Sequence, residues 1–184
     1  MQVASDREPS GMMAILGLEA EVVENMCKSI EVELGQHISI GNYLCSKNYV
    51  VSGSASALNL AADRAMHTHG ARRVIPLPVA GAFHTSYMAS AQAQLCHALD
   101  SVTFHPTRIP VVANVNAEVH NDVDSTKQAL LEQVVRPVQW ESSMLKIIKS
   151  SEFQRAYEIG PGRVCAGILK SMNRRLKVIS IGCD

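Results

Sequence analysis

Over its first 80 residues the chain alternates short apolar runs with amphipathic stretches. Residues 12–16 (MMAIL) are wholly apolar and bounded by Gly11 and Gly17, which predicts a short strand. Over 19–30, Val22, Val23, Met26, Cys27 and Ile30 fall on one stripe. Glu19, Glu21 and Glu24 sit early and Lys28 late, the order that suits a helix dipole. Residues 37–44 (HISIGNYL) and 48–52 (NYVVS) suit two strands joined by a short turn at Cys45-Ser46-Lys47. A second helix is predicted over 54–68, with Leu58, Ala61, Ala62, Ala65 and Met66 on one face and Gly70 closing it. Residues 74–78 (VIPLP) form a last strand, kept to an edge by Pro76.

The resulting order, β-α-β-β-α-β, is the ferredoxin-like arrangement, in which two helices cover one face of a four-stranded antiparallel sheet. Beyond residue 80 the pattern becomes α/β alternation. Residues 88–99 carry a helical stripe, and 110–115 (PVVANV) reads as a β-branched strand of a sheet covered on both faces. Ser125 and Gln128 match a capping box that opens a helix stopped by Pro137. Trp140, Met144, Ile147 and Ile148 stripe another helix. Residues 157–159 predict a short strand leading through Gly160-Pro161-Gly162 into a helix over 164–172, and 178–181 a final strand. These parts fit a mostly parallel sheet.

The chain has 184 residues, 47% of them apolar and 18% charged, enough for a sizeable core. Seventeen basic residues balance seventeen acidic ones, which gives no reason to expect a nucleic-acid surface or a polybasic membrane patch. No apolar run approaches the roughly 20 residues that span a bilayer. The five cysteines, Cys27, Cys45, Cys96, Cys165 and Cys183, are odd in number and form no CxxC pair. They read as reduced thiols of a cytosolic or organellar-matrix protein.

Among seven histidines, His67 and His69 form an HxH pair at a helix end, where residues i and i+2 point apart, a poor metal site. His37, His97, His105 and His120 belong to no cluster of cysteines or carboxylates with metal-ligand spacing and read as surface or loop residues. His84 differs. It lies in VAGAFHTSYM (79–88) among small residues at a strand–helix junction, where α/β enzymes place catalytic groups. By its residues alone it is either a catalytic base or a structural loop histidine. A base needs a nucleophile, and no GxSxG elbow occurs in this chain. Ser54 reads as a turn and helix cap, and Cys165 as a buried thiol. Gly160-Pro161-Gly162 reads as a tight turn that could offer N–H groups to an anion.

In family order, the chain carries GMMAILGL (11–18), NYLCSKNYVVSG (42–53), VAGAFHTSYM (79–88), PVVANVNAEVH (110–120), RPVQW (136–140) and EIGPGRVCAGILKSMN (158–173). With these it resembles the malonyl-CoA:acyl carrier protein transacylases of fatty-acid synthesis from residue 11 onward. The NYLC…NYVVSG wording is closer to organellar eukaryotic members than to bacterial ones, which leaves plastid, mitochondrial matrix and cytoplasm open as locations.

The resemblance implies a tail over 1–11, a ferredoxin-like subdomain over 12–80, and the C-terminal part of an α/β-hydrolase-like acyltransferase core over 81–184. It assigns His84 as the catalytic histidine, the backbone carbonyl of Gln139 as the group that orients it, and Asn42 to the acyl-CoA channel. It implies a ping-pong transfer of malonyl from malonyl-CoA to the phosphopantetheine thiol of acyl carrier protein, with no cofactor and no metal. In the family the nucleophile elbow and the malonate-binding arginine precede the point matching Gly11, and Arg7 is no version of that arginine. The chain is therefore expected to be the histidine half of a transacylase, inactive alone and prone to self-association through an incomplete core. The alternatives are an acyl-carrier-protein-binding module without catalysis and a structural fragment.

Overall fold

A computed structural model describes residues 1–182; Cys183, counted among the cysteines above, lies outside the described residues. Strands β1 (Ser10–Leu16), β2 (Ile38–Cys45), β3 (Asn48–Ser54) and β4 (Arg73–Pro76) form one antiparallel sheet in the order β2-β3-β1-β4. The Pro76 strand takes an edge, where its missing N–H costs no ladder bond. Helices α2 (Ala20–Leu34) and α3 (Ala55–Asp63) share one face of the sheet, burying Val23, Met26, Ile30, Ala57 and Ala61 on Met13, Ile15, Ile38, Ile40 and Val51. The alternate residues Met12, Ala14 and Val50 turn to the other face, where Leu44, Ile75, Leu77 and Phe83 cover them. Because both faces are covered, β1 reads as a continuous apolar run.

Ser54 caps α3 by accepting the Ala57 N–H at 3.2 Å. The helix read over 54–68 divides, becoming a π-helical turn at Arg64–Thr68, and His67 there pairs with Asp63 at 2.9 Å. Residues 1–11, read as a tail, are ordered instead. A helical turn, α1 (Gln2–Ser5), buries Ala4 against Met88 and Ala91, and Ser10 already belongs to β1.

The second half comprises α4 (Ala89–Asp100), α5 (Val123–Val135), α6 (Trp140–Ile148), β5 (Ala156–Ile159), α7 (Val164–Met172) and β6 (Val178–Ile181). β5 and β6 pair in parallel, α4 packs on α5, and α6 and α7 reach the β2 edge. Residues 110–115 do not form the expected strand. The chain reverses at once, with Ala113 N–H on the Glu118 carbonyl and Ala117 in a left-handed conformation, so a single Val112–Val119 bridge remains. The helix start is also corrected: Asp122, not Ser125, caps α5, its carboxylate accepting the Ser125 N–H at 2.8 Å. An aspartate one turn upstream outcompetes a serine already inside the first turn.

Candidate active site around His84

His84 sits on a short connection between β4 and a 3-10 turn at Ser86–Met88 that leads into α4. Its neighbours hold this connection tightly. Ala82, Thr85 and Met88 are buried, Thr85 Oγ1 donates to the Ala82 carbonyl at 2.7 Å, and Ser52 Oγ donates to the Phe83 carbonyl at 2.7 Å. Gly81 lies so close to α1 that a Cβ there would meet Ser5 Oγ at 2.3 Å. These anchors force His84 itself into the left-handed region, with φ 63°. A non-glycine residue held there stores strain that the surrounding contacts must offset.

The imidazole Nδ1 lies 2.9 Å from the backbone carbonyl of Gln133, in the last turns of α5. A carbonyl only accepts, so Nδ1 carries the proton and Nε2 presents its lone pair. Among the described residues, no hydrogen-bond partner is found on Nε2. Gln133 is available because of its place in the helix. Pro137 keeps Arg136 extended and ends α5 at Val135, so the Gln133 carbonyl is among the last-turn carbonyls that have no intrahelical partner. The orphan acceptor then takes the imidazole.

Gln139, to which the sequence reading gave this role, does not orient His84. Its carbonyl is already occupied inside α6 by the Ser143 N–H at 3.0 Å and the Ser143 hydroxyl at 2.8 Å. The signal that identifies Gln133 is present in the sequence as the residue four before a helix-ending proline.

Asn42 lies at a bulge of β2 beside Val138, where the Tyr43 N–H donates to the Val138 carbonyl at 2.9 Å and the Val138 N–H to the Gly41 carbonyl at 2.8 Å. It thus stands where the first sheet joins the segment between Pro137 and α6.

The Gly160-Pro161-Gly162 turn does lead to a helix N-terminus, and the anion there is internal. Glu158 accepts the N–H groups of Cys165 and Ala166 at 2.8 and 3.0 Å. Desolvation opposes its ionised form, but these bonds outweigh that effect and hold its carboxyl below the usual value. Desolvation, and then the Glu158 charge, pushes the Cys165 thiol up, which disfavours the thiolate. Ser54 is spent on its cap and on Gln36, 2.6 Å away. No group of three metal-ligating side chains occurs among the described residues.

No protein-family model matches the chain. It is 37% identical over 170 residues to malonyl CoA-acyl carrier protein transacylase of Bacillus subtilis, covering 92% of this chain and 53% of that protein. The Staphylococcus aureus transacylase of the same name is 33% identical over 183 residues, covering 98% and 58%. Among solved structures, the malonyl-CoA:acyl carrier protein transacylase of Xanthomonas oryzae superposes with TM-score 0.92 at 31% identity, covering 99% of this chain and 57% of that one. A malonyl-transacylase solved in complex with its type II polyketide synthase acyl-carrier protein gives TM-score 0.92 at 29% identity, covering 100% and 58%. The chain spans little more than half the length of the relatives it matches. In sequence and in its α/β fold, it is homologous to that portion of the malonyl CoA-acyl carrier protein transacylases.

Proposed function

We propose that this chain is the histidine-bearing part of a malonyl-CoA:acyl carrier protein transacylase. It comprises a ferredoxin-like unit over 12–80 and the C-terminal part of an α/β-hydrolase-like core over 81–184. The observation that carries the reading is the His84 ring, with Nδ1 held by the Gln133 carbonyl and Nε2 unpartnered among the described residues. This is the state a general base requires.

In the proposed reaction, a serine hydroxyl from the part of the transacylase fold that this chain does not span attacks the malonyl thioester. Its proton passes to His84 Nε2 and on to the departing CoA thiolate, leaving a malonyl-serine ester. The phosphopantetheine thiol of acyl carrier protein then gives its proton to the same nitrogen and takes the malonyl group, and the serine is reprotonated. The Gln133 carbonyl keeps the ring in register and stabilises the imidazolium formed in each half-reaction. Asn42, at the join between the first sheet and α6, lines the acyl-CoA channel. No cofactor or metal enters this scheme.

The test is a chimera in which this chain replaces the corresponding segment of the Bacillus subtilis relative. Malonyl transfer to acyl carrier protein that His84→Ala abolishes is the expected result. A folded chimera that binds acyl carrier protein without transferring malonyl, whichever residue stands at 84, would favour a binding module.

A further inference from the structure

Apart from His84, the fold brings together a second imidazole, a hydroxyl and a carboxylate. We propose that Ser39, His37 and Glu31 form a nucleophilic relay that accepts acyl groups from activated esters and thioesters. The His37 Nδ1 lies 2.7 Å from Glu31 Oε1, and the His37 Nε2 lies 3.3 Å from Ser39 Oγ. A carboxylate only accepts, so Nδ1 carries the proton and Nε2 is left to accept from the Ser39 hydroxyl. This is the hydroxyl–imidazole–carboxylate order that activates a serine.

The placement follows from the strand. Ile38 and Ile40 are buried on the helix face of the sheet, so Ser39 points to the other face and His37, two residues earlier, falls beside it. Glu31 comes from the last turns of α2, six residues before His37, and reaches the imidazole around the sheet edge. The Tyr87 ring lies against His37 with centroids 6.4 Å apart. Together with Ala4, Arg7, Glu8 and Ser86, these two rings line a recess of about 300 Å³. That volume is at the low end for a ligand site; it opens at the His37 ring, with Ser39 outside its lining.

In the reaction, Ser39 Oγ bonds to the acyl carbon as the ester bond breaks. The hydroxyl proton moves to His37 Nε2 and then to the leaving alkoxide or thiolate. The product is an acyl-Ser39 ester, which water hydrolyses by the reverse proton path. Glu31 is a positioning residue that fixes the tautomer.

The test uses the full chain with p-nitrophenyl acetate at neutral pH, following p-nitrophenolate release and locating the acetyl group by peptide mass mapping. The expected result is acetylation of Ser39 about 10²-fold faster than in His37→Ala, the lower end of general-base assistance, because the relay is partly exposed. Free imidazole should restore labelling of Ser39 in His37→Ala, Glu31→Gln should slow it, and Ser39→Ala should abolish that adduct. Unselective labelling of surface hydroxyls and amines would overturn the proposal, as would a Ser39 rate indifferent to His37. Neither readout involves malonyl transfer or acyl carrier protein, so the outcome is independent of the role proposed for His84.

Discussion

The Gln133 carbonyl holds His84 Nδ1 at 2.9 Å, and it can do so because Pro137 keeps Arg136 extended and ends α5 at Val135, leaving the last-turn carbonyls without intrahelical partners. A helix-terminating proline thus supplies an acceptor where an uninterrupted helix would have none. The same arrangement joins two parts of the chain, since α5 fixes the orientation of a ring carried on the connection after β4.

In a transacylase carrying this segment, His84→Ala should slow acylation by about 10²–10⁴-fold while malonyl-CoA affinity stays near wild type. Gln133→Ala should be far milder, because alanine keeps the carbonyl that meets the imidazole. Pro137→Ala removes the constraint that keeps Arg136 extended, lets α5 run on over the Gln133 carbonyl, and should slow acylation more than Gln133→Ala does. Pre-steady-state acylation, with affinity measured separately, decides. A near-wild-type rate for His84→Ala would remove the base assignment.

Gly81→Ala tests the anchor beneath the histidine. The new Cβ would meet Ser5 Oγ at 2.3 Å and Ser5 Cβ at 2.8 Å, so α1 must shift. Overpacking of this kind costs about 1–3 kcal/mol. Adding Ser5→Gly should recover most of the loss in a thermal-melt cycle; additive effects would mean that the two residues do not meet.

The elements of the first 80 residues were legible because strand and helix periods differ sharply there, and each apolar stripe finds a face to cover. Residues 110–115 misled because a β-branched run signals a strand only when neighbours exist to pair with it, and here the chain turns back at Asn114–Asn116. His84 stood out through its small neighbours. Gln133 did not, since its role lies in a backbone carbonyl that any residue would supply; only the position of Pro137 marks it. Likewise the Glu31–His37 contact spans six residues across a helix-to-strand turn, a separation that no helical or strand period singles out.

The Glu158 cap predicts a pH dependence. Its folded-state carboxyl lies below the ordinary value, so the bound N–H groups of Cys165 and Ala166 stabilise the fold fully above that ordinary value. The contribution is lost as pH falls through the lower, folded-state value. Thermal midpoints of wild type should therefore drop across that acidic interval more than those of Glu158→Gln. Parallel curves for the two proteins would show that the cap contributes nothing.

Thiol reactivity should separate the cysteines. Desolvation, followed by the Glu31 and Glu24 charges, pushes the Cys27 thiol up to about 12, and the side chain is buried; Cys96 is exposed on α4. Native alkylation at mildly alkaline pH should modify Cys96 first and spare Cys27 until denaturant is added. Early Cys27 labelling would mean that α2 opens readily from the sheet.

The β5–β6 pair leads to the last prediction. Side chains alternate across a strand, and on one face of this pair all four, Tyr157, Ile159, Ile179 and Ile181, are apolar and exposed, Ile159 to 82%. Parallel strands are ordinarily covered on both faces, and two strands alone are marginal in water. All four of these side chains stay at least 41% exposed. A second copy of the chain offers the same four side chains and can cover them by face-to-face packing, so the chain in solution should self-associate as concentration rises. Sedimentation velocity across a concentration series is the measurement. Ile159→Lys together with Ile179→Glu places charge at the centre of the contact and should return the chain to monomer, because an unpaired charge at an apolar interface costs more than the area it replaces can recover. If the wild-type chain stays monomeric at all concentrations, or if the charged variant associates equally well, association through this face is wrong.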